Sequence, residues 1–91
     1  SVMIGGLLLR PRQVEVIWLL LRGMGRTAIS ERLGVTGKTV DYHLTDLRER
    51  LGVDTSRMVI AWAAGYQDEL SVAFAGLQRG GQASPKQDPS L

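Results

Sequence analysis

The chain is 91 residues long and 44% hydrophobic, with 11 basic and 9 acidic side chains for a net charge of +2, enough for one small core in a mildly basic domain. It has no cysteine, which excludes disulfide staples, thiol catalysis and thiolate metal sites and is compatible with a reducing compartment. No apolar run approaches the roughly 18 residues that span a bilayer, and Ser1 to Leu9 lacks the basic start of a secretory signal, so a soluble cytoplasmic protein with no membrane partner is expected.

In chain order, residues 1–6 are expected to be a disordered or vector-derived leader, because a chain opening on Ser1 reads as processed or as cut from a longer protein. Pro11 suits the first position of helix 1, where a fixed φ and a missing N–H cost nothing. Arg10 before it is a poor cap. Val14, Ile17, Trp18 and Leu21 form an i, i+3, i+4, i+7 stripe, and Gly23 marks the stop. Val16, Leu19 and Leu20 lie off that stripe, so either the domain wraps this helix or a partner covers it.

Residues 23–53 carry the most informative pattern. Ile29, Leu33, Val35, Val40, Leu44 and Leu47 are spaced so that two helices bury facing stripes. Ser30, four before Gly34, is the small residue expected where those helices approach most closely. Gly34 suits a left-handed helix stop, a conformation that costs a residue with a Cβ roughly 1–2 kcal/mol. Thr36 is placed to cap the next helix. The spacing predicts a helix-turn-helix whose second helix, about Gly37 to Leu51, can enter a DNA major groove.

Beyond Gly52, Ser56 is the expected cap of helix 4, about Arg57 to Ala64, in which Met58 to Ala64 is an unbroken apolar run. A chain this short has few layers to bury both faces of such a helix, so self-association through it is expected, on Met58, Ile60, Ala61 and Trp62. Asp68 then reads as the cap of an additional helix within residues 67–78, with apolar side chains at Leu70, Ala73, Phe74 and Leu77. Residues 79–91, with Gly80-Gly81, Ser84-Pro85 and Asp88-Pro89, have the composition of a disordered tail.

Leu9-Arg10-Pro11-Arg12-Gln13-Val14-Glu15-Val16-Ile17, then Gly23-Met24, Ile29, Glu31-Arg32-Leu33-Gly34-Val35, Lys38-Thr39-Val40, His43-Leu44 and Leu51-Gly52-Val53, resemble the LuxR/FixJ (GerE-like) DNA-binding domain. The resemblance covers about residues 7–66. It implies an all-α, four-helix domain of bacterial transcription regulators, in which the third helix reads DNA and the fourth pairs two copies; here a further C-terminal helix is added. The family usually has threonine or serine where Arg10 stands, so this helix start is expected to fray more than the family's.

Roles follow where the pattern matches. Lys38 and Thr39 are placed to meet phosphates in the first turn of the recognition helix, and Arg26 to do so across the groove. Asp41, Tyr42 and Thr45 are the outward positions expected to read bases; the positions matching Asp41 and Thr45 often carry lysine or arginine in the family. Asp41 can accept from cytosine N4, or be held instead by Arg48 or Lys38. Thr36, His43 and Arg48 complete the DNA-binding set, His43 by packing and a phosphate-side hydrogen bond. Trp18 and Trp62 read as core or dimer anchors.

Residues 7–66 hold nine basic and six acidic side chains, against two and three in residues 67–91, so the basic charge lies on the expected domain. Within the recognition helix Lys38, Arg48 and Arg50 are offset by Asp41, Asp46 and Glu49, which predicts modest, salt-dependent affinity per copy and a need for two. A single histidine assembles no metal site, and Gly23-Met24-Gly25 lacks the strand and lysine of a phosphate loop, so neither a metal, a cofactor nor an enzyme is expected. The expected function is double-stranded DNA binding by a homodimeric regulator. The rival is an adaptor that uses the same scaffold to bind RNA polymerase or a sigma factor with little DNA contact. A third, weaker reading is a phage-type packaging or replication-initiation protein.

Overall fold

Two glycines at the head of the chain build structure where a disordered leader was expected. In the computed structural model, which describes residues 1–83, β1 (Val2–Ile4) pairs antiparallel with β2 (Leu7–Leu9), Val2 opposite Leu9 and Ile4 opposite Leu7. Gly5 and Gly6 have φ of +54° and +81°, the paired left-handed conformations that a tight two-residue hairpin turn requires. Alternation then sends Ile4 and Leu9 into the core and leaves Met3 and Leu8 outside. The Tyr66 ring lies against Gly5, within 2.6 Å of where a Cβ would stand.

Five helices follow: α1 (Pro11–Leu21), α2 (Arg26–Leu33), α3 (Gly37–Leu51), α4 (Ser56–Ala64) and α5 (Gln67–Ala83). Pro11 opens α1, and its start is tied rather than loose, because the Arg10 N–H donates to Gln13 Oε1 at 3.1 Å. The apolar excess of α1 is explained by its central place. Val14 and Ile17 join Ile4, Leu9, Leu47, Val59, Ala63 and Leu70 in one buried cluster, while Val16 and Leu19 join Ile29 and Val40 in a second. The domain wraps α1 from both sides.

The turn between α2 and α3 forms as its residues dictate. Gly34 takes φ +70° and ψ +33°, and its N–H and that of Val35 both donate to the Ser30 carbonyl. Thr36 then caps α3, its hydroxyl accepting from the Thr39 N–H at 3.2 Å. The Ser30 hydroxyl donates to the Thr27 carbonyl at 2.7 Å. At Gly37 the Arg26 side chain of α2 lies close on α3: a Cβ there would fall 2.6 Å from the guanidinium carbon.

Three expectations downstream need correction. The cap of α4 is Thr55, whose hydroxyl accepts from the Met58 N–H at 3.2 Å, so the helix starts one residue early, at Ser56. Asp68 lies inside the first turn of α5, not at its cap, where with Glu69 it still complements the helix dipole. Leu70 is fully buried, Ala73 and Leu77 pack on the first cluster and Phe74 on the second, and the helix, anchored in this way, runs past 78 to Ala83. Residues 79–83 are therefore helical; the rest of the expected disordered tail, 84–91, lies outside the described residues.

Candidate nucleic-acid interface

The 3.6-residue period sorts α3 into two faces. Val40, His43 and Leu47 are buried, seating the rod against α1 and α2, while Lys38, Asp41, Tyr42, Thr45 and Glu49 are exposed along the opposite side. Tyr42 is 54% exposed, so among the described residues this surface is left open.

At the start of α3, the Thr36 and Thr39 hydroxyls lie 3.1 Å apart, and both serve the cap. Lys38 is exposed and makes no hydrogen bond or ion pair among the described residues. Asp41 Oδ1 accepts from Arg26 Nε at 2.7 Å, across the turn, with both side chains 52% exposed. The holder of Asp41 is thus Arg26, not Arg48 or Lys38, and the bond favours the charged form of the guanidinium.

Further along the face, Arg10 Nη1 donates to the Tyr42 hydroxyl at 3.3 Å, and that hydrogen bond raises the Arg10 pKa above its ordinary value. In the sequence, Arg10 stands out only as a poor cap. Nothing in the local pattern links residues 32 positions apart; only the packing of α1 on α3 brings them together.

The second half of the helix differs. Arg48 donates to the Thr45 hydroxyl and to the Ser56 hydroxyl, each at 3.1 Å, which ties α3 to the start of α4. Arg50 reaches the Leu8 carbonyl and Gln13 Oε1, and Asp46 accepts from the Gln13 amide, so these charges bind the hairpin and α1 to α3.

His43 is only 8% exposed and sits edge-on to Tyr42, ring centroids 5.4 Å apart. Its Nδ1 is buried without a partner among the described residues. Burial lowers its pKa from the ordinary value, Arg10 and Arg12 push the same way, and Asp46 opposes them. Among the described residues no group of three or more His, Cys, Asp or Glu side chains is placed to hold a metal.

The residues expected to pair two copies divide. Met58, 46% exposed, and Ala61 face outward and Ile60 is half-buried, whereas Trp62 packs on the first cluster beside Tyr66, ring centroids 5.2 Å apart. Among the described residues no helix is long and apolar enough to cross a membrane.

Residues 8–64 match the bacterial regulatory proteins of the luxR family. The chain is similar to the Transcriptional regulatory protein MctR of Rhizobium johnstonii, at 33% identity over 58 residues, which cover 64% of this chain and 27% of that protein. It is also similar to the Oxygen regulatory protein NreC of Staphylococcus aureus, at 32% identity over 56 residues, covering 62% and 26%. The chain therefore spans about a quarter of the length of these curated relatives. No solved structure matches it.

Proposed function

This chain belongs to the luxR family of bacterial regulatory proteins, whose DNA-binding domain it carries, and on that premise we propose that it binds double-stranded DNA with α3 in the major groove and acts as a homodimer. The family is one of transcription regulators, not of enzymes.

The observation that carries the reading is the division of α3 into a seated face and an open one. Val40, His43 and Leu47 fix the rod, and the stripe from Lys38 through Tyr42 to Thr45 stays exposed among the described residues, with Arg10 and Arg48 meeting the Tyr42 and Thr45 hydroxyls from its edges. Lys38, unpaired among the described residues, is the cation of that stripe and meets phosphate, helped by the N–H groups at the start of α3. Tyr42 and Thr45 face base edges, Tyr42 by hydrogen bond or stacking and Thr45 by contact with a thymine methyl or a phosphate. Thr36, Thr39 and His43 hold the helix at the depth this requires, and Arg48 fixes Thr45. In the dimer, Met58 and Ala61 with the edge of Ile60 form the contact, addressing half-sites about one helical turn apart. Neither the family nor the open face of α3 favours the adaptor reading.

Fluorescence anisotropy with a labelled duplex over a series of salt concentrations tests the proposal. Lys38→Ala lowers affinity and reduces the slope of log affinity against log salt by about one. An unchanged slope would contradict it.

A further inference from the structure

Asp41 stands on the face of α3 that is turned toward DNA, where phosphates repel a carboxylate. Simple electrostatics expects its removal to tighten binding. The geometry points to the opposite. We propose that Asp41 is a positioning residue, holding the Arg26 guanidinium over Gly37 so that its free N–H groups contact a phosphate. Arg26 thereby supplies from α2 a cation that position 41 of α3 does not carry. The inference rests on the DNA-binding reading and deepens it by reassigning the role of Asp41.

Three observations carry it. First, the pair is made through Nε alone; among the described residues Nη1 and Nη2 have no acceptor, so a guanidinium fixed at one edge keeps its other N–H donors for a ligand. Second, the guanidinium rests on Gly37, where a Cβ would come within 2.6 Å of Cζ and Nη2 and 2.9 Å of Nη1. The backbone at Gly37 does not demand glycine, since its φ is not positive, and alanine would favour the helix. The missing side chain makes room for Arg26. Third, an ion pair this exposed adds little to stability, and buried Ile29 and Val40 already hold α2 to α3, so the pair is not needed for the fold.

The test measures the affinity of the 91-residue chain for a fluorescent mixed-sequence duplex across salt concentrations, with thermal melts of each variant alongside. Arg26→Ala weakens binding and lowers the salt slope by about one. Asp41→Asn, although it removes a negative charge, weakens binding about threefold or more, and no longer weakens it once Arg26 is alanine, where only the repulsion of the carboxylate is left to be relieved. Gly37→Ala, which keeps the helix but displaces the guanidinium, shifts affinity the same way with no loss of melting temperature. Tighter binding by Asp41→Asn, or an equal loss with and without Arg26, would overturn the assignment. Lys38→Ala separates the two failures. If it weakens binding while the Arg26, Asp41 and Gly37 variants do not, the positioning role alone falls; if it has no effect, or the parent chain binds no duplex, the DNA reading falls and takes this inference with it.

Discussion

At its amino-terminal end α3 presents Lys38, unpaired among the described residues, and Asp41 joined to Arg26 of the preceding helix. Its carboxy-terminal end has the more numerous cations, yet Arg48 bonds Thr45 and Ser56, and Arg50 bonds the Leu8 carbonyl and Gln13. Counted along the sequence, the two ends cancel to a neutral helix. In the folded chain the distal arginines order their own neighbours, while the proximal lysine is left to the solvent. What a charge does on this helix is decided by its partner, not by its sign.

The largest expected effect lies beneath both ends. Leu47 is fully buried, and Leu47→Ala costs about 2–5 kcal/mol of stability, a large fraction for a domain this small, in a urea melt. A loss under about 1 kcal/mol would mean that the helix is not seated as described. Next, Lys38→Ala and Arg50→Ala set the two ends against each other. The first lowers duplex affinity and leaves the melting temperature unchanged; the second lowers stability by about 1 kcal/mol or less and affects affinity less than the first. A reversed order would break the comparison.

Outside α3, Met58→Glu is expected to turn the proposed dimer into a monomer in sedimentation equilibrium without altering the helical circular dichroism signal, because it would place a charge in the proposed apolar contact. A parent chain that stays monomeric at every concentration would remove α4 from the account. The smallest effect concerns His43. Its folded pKa lies below the ordinary value of 6.5, so the unfolded chain takes up the proton first. Its contribution is therefore complete above that value and is lost as pH falls toward the folded pKa. Between about pH 7 and about pH 5 the melting temperature of the parent drops more than that of His43→Leu; parallel curves would contradict this.

The helix-turn-helix was legible because each signal is local: Gly34 in a left-handed stop, Thr36 on the Thr39 N–H, and a period that buries Val40 and Leu47 and half-buries Leu44. The hairpin had a local signal too, Gly5-Gly6 between two apolar triplets, but it was read as part of a leader. The length of α5 was not legible. Gly80-Gly81 reads as a turn, and only packing at Leu70, Phe74 and Leu77 lets a helix outlast such residues. For the interface, periodicity found which α3 side chains face outward. It could not find Arg26 on Asp41 or Arg10 on Tyr42, because contacts across 15 and 32 positions depend on how the helices cross.

The most direct test of the central claim is a two-dimensional amide NMR titration of the chain with duplex DNA at low salt. The account predicts that the largest shifts fall on Thr36 to Thr45 and on the start of α2, with α5 and the hairpin unmoved. Shifts centred on α4, α5 or the hairpin, or none at all, would contradict it.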